Sequence, residues 1–270
     1  MTNAERIGRL LMNLKSLRVF FFDLDGVLSV GKARPHYLGG GEVVRRLKES
    51  GRKAFVLTNN STGTRRDVYR NLRRLGFTFE IDEVLTSSYL TARYLTQSFG
   101  EARFSLIGET GLRDELEAAG HHASHKPQVV VVGLDRRLSY NKLDEALRHL
   151  RTGAALVGLY GGAVYMSDKG PALSAGPIIK ALEFASGKRA AMIGKPSPRM
   201  FKLALQLADE EPTRAVMVGD QIETDVLGAR RAGVHTILVL TGVESQEAIA
   251  QSKIKPDMVV ENVDALATLL

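Results

Sequence analysis

Asp23, Leu24, Asp25 and Gly26 follow directly on the apolar run Val19, Phe20, Phe21 and Phe22. Two carboxylates, two residues apart, are therefore delivered to the loop that leaves a short buried strand. That pairing suits phosphoryl transfer. One carboxylate can attack phosphorus and carry the phosphoryl group covalently, while the other gives a proton to the leaving group and takes one from water. Asp23 is read as the nucleophile and Asp25 as the acid/base, and the two lie close enough in the chain to share one hard cation. Alone the stretch is ambiguous, because Asp-Gly is also a common turn pair.

Three further stretches carry the argument. Thr58, Asn59, Asn60 and Ser61 follow the apolar Ala54, Phe55, Val56 and Leu57. A hydroxyl and a backbone N–H at a strand end can hold phosphoryl oxygens, and Ser61 or Thr64 can equally cap the helix that follows. Gly194, Lys195, Pro196, Ser197 and Pro198 follow Ala190, Ala191, Met192 and Ile193. Lys195, beside a proline that restricts its backbone, can place a fixed positive charge against a transferring phosphoryl group. Gly219, Asp220, Gln221, Ile222, Glu223, Thr224 and Asp225 follow Ala215, Val216, Met217 and Val218. Asp220 offers Mg²⁺ another carboxylate ligand, and Asp225 either orients Lys195 or a metal-bound water or supplies charge to a helix N-terminus.

In this order the four stretches resemble the four motifs of the haloacid dehalogenase superfamily of phosphatases. Within it the chain is similar to the subfamily of p-nitrophenylphosphatase, phosphoglycolate phosphatase and NagD-like enzymes. The resemblance runs from about Arg18 to the C-terminus. It implies Asp23 as nucleophile, Asp25 as acid/base, Thr58 and Asn59, with Asn60 beside them, as phosphate binders, and Lys195 as charge stabiliser. It further implies that Asp23, the backbone carbonyl of Asp25 and Asp220 hold Mg²⁺.

The elements that must position these residues read as an α/β fold. Short apolar runs near Val19, Phe55, Val84, Met192, Val216 and Ile237 alternate with helical stretches at 39–50, 64–75, 198–208 and 223–232, the pattern of a parallel sheet wrapped by helices. All six strands are assigned to one Rossmann-like core. More than 130 residues separate the second and third motifs, too many for a loop. The expected layout is a discontinuous core, 1–100 and 190–270, with an α/β cap domain inserted at 101–189. Strands near Phe104, Val129 and Ala155 and helices at 111–119, 140–150 and 176–186 build the insert. By resemblance it is the large cap of this subfamily, which excludes water and contacts the leaving group.

The insert departs from its relatives. Many carry Thr-Asn-x-Asp where this chain has Leu159, Tyr160, Gly161 and Gly162, and Phe-Pro-Thr where it has Tyr165, Met166 and Ser167. Gly158, Gly161, Gly162 and Gly170 are read either as a flexible substrate loop with Tyr160, Tyr165, Asp168 and Lys169, or as a glycine-rich turn between strands. His121, His122 and His125 follow Gly120 and are expected in an exposed loop, without a local carboxylate or cysteine to complete a metal site.

The chain has 270 residues, 44% hydrophobic and 25% charged, enough to bury a full core. It has no cysteine, which excludes disulfides and thiolate metal sites. The net charge of +7, from 37 Lys and Arg against 30 Asp and Glu, steers phosphate esters. Arg65, Arg66, Arg70, Arg73 and Arg74 are read as a solvated helix face rather than a nucleic-acid surface, because aromatic stacking partners are few. Ile7, Leu10, Leu11, Leu14 and Leu17 have helical spacing and are read as a packed helix, not a signal peptide or a membrane-surface segment. No apolar run is long enough to cross a bilayer, so the expected compartment is the cytoplasm. The expected partner is a small phosphorylated substrate, with no nucleic acid and no membrane. The resemblance also implies a homodimer through the cap.

The expected function is Mg²⁺-dependent hydrolysis of phosphomonoesters through an aspartyl-phosphate. The same parts can serve a phosphotransferase or phosphomutase if an acceptor replaces water. A phospho-accepting signalling module also uses Asp, Thr, Lys and Mg²⁺ at the ends of a parallel sheet, but Asp25 supplies a proton carrier that a long-lived phospho-aspartate should lack. A non-catalytic binding protein is disfavoured because no motif position is missing.

Overall fold

The computed structural model describes residues 14–31, 35–167 and 170–270. Ile7, Leu10, Leu11, Asp168 and Lys169 lie outside the described residues. Within them the chain forms two compact units, one drawing on residues up to 58, 67–85 and 196–270, the other on 59–66 and 86–195.

The first unit is built on a six-stranded sheet ordered Met258–Val260, His235–Val239, Ala215–Gly219, Val19–Phe22, Lys53–Thr58 and Val84–Thr86. Val19–Phe22 pairs in parallel with Ala215–Gly219 on one side and Lys53–Thr58 on the other, so Phe22 stands opposite both Val218 and Val56. His235–Val239 and Met258–Val260 continue the parallel pairing outward. Successive residues of a strand face opposite sides of the sheet, and helices cover both, which is why these strands are apolar throughout rather than alternating. Phe20, Phe22, Ala54, Val56, Val216, Val218, Ile237 and Val239 form one face and share a core with Val43, Val44 and Leu47 of the helix Gly41–Glu49 and with Val68 and Leu72 of Arg65–Arg74. Phe21 and Phe55 occupy the opposite face, with ring centroids 5.8 Å apart. Leu14 and Leu17, the end of the N-terminal apolar stripe, are buried.

The second unit repeats the logic with a five-stranded parallel sheet ordered Ala191–Met192, Ala155–Gly158, Val129–Val132, Arg103–Ile107 and His122–Ala123. Helices Tyr140–Arg151 and Ala175–Ser186 lay Ala146, Leu150, Ile179 and Leu182 onto Ile107, Val130, Val132 and Leu156. Helix Ser87–Phe99 packs against Thr110–Ala118 and so belongs to this unit. Arg136 forks onto Glu109, at 2.6 and 2.7 Å, and this hydrogen bonding holds the Glu109 carboxyl below the usual carboxylate range.

Two expectations change, and one open alternative is decided. The strand near Met192 leaves the core sheet: Ala191–Met192 pairs with Ala155–Gly158, and the sixth core strand is Met258–Val260 instead. Of the two readings of the Gly158 to Gly170 region, the turn between strands fits: residues 159–163 link Ala155–Gly158 to Val164–Ser167, which pairs antiparallel with Gly170–Leu173. Gly158 and Gly162 within it, and Gly176 beyond it, are needed for close packing. A Cβ on Gly158 would stand 2.7 Å from Ile179 Cδ1, one on Gly162 2.2 Å from the Tyr160 ring, and one on Gly176 2.3 Å from the Gly161 carbonyl oxygen. Finally, His121 is fully buried rather than in an exposed loop. Its Nδ1 accepts from the Ala102 N–H (3.1 Å), and Nε2 lies 3.0 Å from the Ala92 carbonyl and 3.3 Å from Thr96 Oγ1, which calls for the Nε2–H tautomer. His122 is exposed and pairs with Glu101.

His121→Ala would leave the Ala102 N–H and the Ala92 carbonyl without their buried partner and open a cavity. A loss of about 2–4 kcal/mol is expected in urea-induced unfolding, against a change within about 0.5 kcal/mol for His122→Ala.

Candidate active site

In chain order the core strands run 6-5-4-1-2-3 across the sheet, so the winding direction reverses between Val19–Phe22 and Ala215–Gly219. Open parallel sheets bind ligands outside the carboxyl ends of their strands at such a switch point. Asp23 and Asp220 are the residues that follow these two strands. Thr58 ends the strand on the other side of Val19–Phe22.

Asp23 is held by its own backbone. Its N–H donates to the Val218 carbonyl (2.9 Å), and its Oδ1 accepts from Leu24 N–H (2.8 Å). Asp25 is half-buried in the turn that Gly26 completes at φ +83°, and Gly26 N–H closes the turn on the Ser29 carbonyl (2.8 Å). A residue with a side chain is strained at that φ and would also collide, because a Cβ on Gly26 would lie 2.4 Å from Asp220 Oδ2. On its other side the Asp220 carboxylate meets Gly242, where a Cβ would stand 2.0 Å from the same oxygen. The Asp220 side chain is thus slotted between two glycine backbones, with Val243 N–H donating to Oδ2 (3.1 Å).

Asp225 is placed by a π-helical turn, Ile222–Val226, where an ordinary first helical turn was expected. The wider turn brings its carboxylate back over the strand end, where Oδ2 accepts from the N–H groups of Asp220 (3.2 Å) and Gln221 (3.1 Å). A Cβ on Gly219 would sit 2.3 Å from Asp225 Cβ, so this approach requires glycine.

The result is a cluster of three buried carboxylates, Asp23, Asp220 and Asp225, each offering an oxygen within 4.8 Å of the others. Among the described residues no other group of His, Asp or Glu side chains comes this close to sharing an ion. Three hard anionic oxygens at this spacing suit a divalent cation such as Mg²⁺. The Asp25 carboxylate is not part of the cluster.

The remaining predicted residues fall in the second unit. Asn59 and Lys195 are joined there by paired hydrogen bonds, Lys195 N–H to Asn59 Oδ1 (2.8 Å) and Asn59 Nδ2 to the Lys195 carbonyl (3.1 Å). Gly194 must be glycine because a Cβ would lie 2.2 Å from the Leu159 carbonyl oxygen and 2.7 Å from Asn59 Oδ1. The Asn59 side chain thus ties the second motif to the third, while Lys195 is 1% exposed. Asn60 Oδ1 accepts from Thr62 and Gly63 N–H and shapes its own turn. Ser197 caps the helix Pro198–Ala208, with Pro198 in the first helical turn.

Sequence reasoning passed over the loop after His235–Val239, where Thr241, Gly242, Val243 and Glu244 touch the other motifs. Its signal was available: small polar Thr and Gly at the carboxyl end of another core strand.

A haloacid dehalogenase-like hydrolase family model matches residues 20–122, and a second HAD-hydrolase-like model matches 192–266. Chronophin of Rattus norvegicus is 34% identical over 262 residues, covering 90% of this chain and 84% of the relative. Glycerol-3-phosphate phosphatase of Homo sapiens is 34% identical, covering 99% and 94%. The crystal structure of 4-nitrophenylphosphatase from Thermotoga maritima superposes with a TM-score of 0.88 at 33% identity, covering 94% of this chain and 98% of that one. A parallel-sheet fold with an Asp-x-Asp-Gly strand end, matched at this identity over nearly the whole chain, has one reading: the chain belongs to the haloacid dehalogenase-like hydrolases and is a phosphatase.

Proposed function

We propose that the chain hydrolyses small phosphate monoesters through an aspartyl-phosphate intermediate with the help of Mg²⁺. The observation that carries this reading is the convergence of the Asp23, Asp220 and Asp225 carboxylates at the switch point of the sheet. Glycerol-3-phosphate phosphatase and 4-nitrophenylphosphatase among its relatives support a small ester as substrate.

In the first step a carboxylate oxygen of Asp23 bonds to phosphorus as the ester P–O bond breaks, and Asp25 gives its proton to the departing alcohol oxygen. In the second, Asp25 takes a proton from water as the water oxygen bonds to phosphorus, the Asp23–phosphorus bond breaks and inorganic phosphate leaves. The Leu24 N–H holds the Asp23 carboxylate in one orientation, so little rearrangement precedes attack. The hydroxyl of Thr58 and the backbone of Asn59 and Asn60 are assigned to phosphoryl oxygens, and Lys195 to the charge that develops on them. Asp23, Asp220 and the Asp25 carbonyl would hold Mg²⁺, which would supply further positive charge to those oxygens, and Asp225 fixes the Asp220 turn through its bonds to the Asp220 and Gln221 N–H groups.

Turnover of p-nitrophenyl phosphate should require Mg²⁺ and stop in EDTA. Asp23→Asn should lower kcat by on the order of 10³ or more with an unchanged circular dichroism spectrum. Hydrolysis at the wild-type rate by this folded variant would remove the nucleophile assignment.

Asp220→Ala should act through the cation, raising the half-activating Mg²⁺ concentration on the order of ten-fold or more; an unaltered magnesium titration excludes Asp220 as a ligand. In EDTA, neutralising one of three crowded anions relieves repulsion. Asp23→Asn should then unfold a few degrees above the wild-type chain, a gap that closes when Mg²⁺ is added.

A further inference from the structure

The segment after the strand His235–Val239 touches three separate parts of the first unit's site. Thr241 Oγ1 donates to the Gly26 carbonyl (2.6 Å), Val243 N–H donates to Asp220 Oδ2 (3.1 Å), and Glu244 Oε1 accepts from Ile222 N–H (3.1 Å). The first contact grips the turn that carries Asp25, the second grips Asp220 itself, and the third grips the start of the π-helical turn that carries Asp225. Gly242 lies between them with its backbone against the Asp220 carboxylate. Thr241 is exposed, and its hydroxyl makes this bond from the surface.

We propose that residues 241–244 are a positioning clamp that sets the spacing of Asp23, Asp220 and Asp225, with Thr241 and Glu244 as its side-chain anchors. This rests on the phosphatase reading and adds to it residues that touch neither substrate nor cation. The physical reason is that Asp23 follows one strand while Asp220 and Asp225 lie in the loop and turn beyond its neighbour, and parallel strands fix the strand ends but not the loops beyond them. Repulsion within the cluster drives those loops apart unless something outside the cluster ties them together. One segment bonded to Asp220, to the turn after Asp23 and to the start of the turn that carries Asp225 does so.

The clamp predicts a loss in cation affinity without a loss in fold. Thr241→Val keeps the shape of the side chain and removes the hydroxyl, whereas Thr241→Ser keeps it. Mg²⁺ binding is measured by isothermal titration calorimetry without substrate, beside thermal unfolding in EDTA and p-nitrophenyl phosphate kinetics. Thr241→Val and Glu244→Ala are each expected to weaken Mg²⁺ binding on the order of ten-fold, as loss of a partner behind a metal ligand commonly does, with the EDTA melting temperature close to wild type and KM at saturating Mg²⁺ unchanged. Thr241→Ser should bind Mg²⁺ as the wild-type chain does. Wild-type Mg²⁺ affinity in both Thr241→Val and Glu244→Ala overturns the clamp and leaves the phosphatase reading intact. Equal losses of stability and affinity in both, not rescued in Thr241→Ser, also overturn it, since that marks a purely structural loop. A wild-type chain that binds no Mg²⁺ overturns the metal reading and the clamp together.

Discussion

Three carboxylates held within 4.8 Å of one another in a buried site are the constraint around which the first unit is arranged. At an effective dielectric of about 20, two ionised carboxylates at that separation repel by about 3 kcal/mol. A cluster of this kind forms only if the backbone leaves its side chains no way out and a counter-charge is supplied. The backbone's part is visible. Asp220 lies between the backbones of Gly26 and Gly242, Asp225 is pulled back by two N–H groups and rests on Gly219, and Asp23 is fixed by the N–H of the next residue. The counter-charge is the reason a divalent cation suits the site.

The sheet order makes this crowding possible. A chain that ran steadily in one direction across the sheet would put Asp23 and Asp220 several strands apart. Because it reverses, the first and fourth strands are neighbours, and residues nearly two hundred positions apart in sequence meet at one end of the sheet. Most of the second unit is inserted between the third and fourth strands, so an insertion of that size leaves the pairing of the first and fourth untouched. It has its own parallel sheet and its own core, which is how a segment of this length stabilises itself.

Glycine appears here chiefly as the residue that permits contact. Gly26, Gly194, Gly219 and Gly242 each meet a side chain or carbonyl at a distance no Cβ could occupy, and three of the four press against Asp220 or Asp225. Only Gly26 among them also has positive φ, so close approach and not backbone freedom explains the others. The same reasoning applies at Gly158 and Gly162, where a Cβ would collide with Ile179 and with the Tyr160 ring.

The sequence by itself determined the family, the α/β class, the four strand-end motifs and the presence of an inserted unit, because each is written in local signals. An apolar run followed by small polar or acidic residues identifies a strand and its functional end whatever the strand is paired with. Pairing is where local signals stop. Ala191–Met192 is too short and too apolar to declare which sheet it joins, and only its register with Ala155–Gly158 decided it. His121 follows a helix-ending glycine like any loop histidine, and only the surrounding backbone turned it into a buried residue with both ring nitrogens occupied. Asp225 was legible as a carboxylate near a helix start, but the π-helical turn that returns it to Asp220 depends on hydrogen bonds no periodicity encodes. Thr241 and Glu244 gained their contacts from the neighbourhood of strand ends, which tertiary structure alone creates, since their partners at Gly26 and Ile222 are distant or unrelated in sequence.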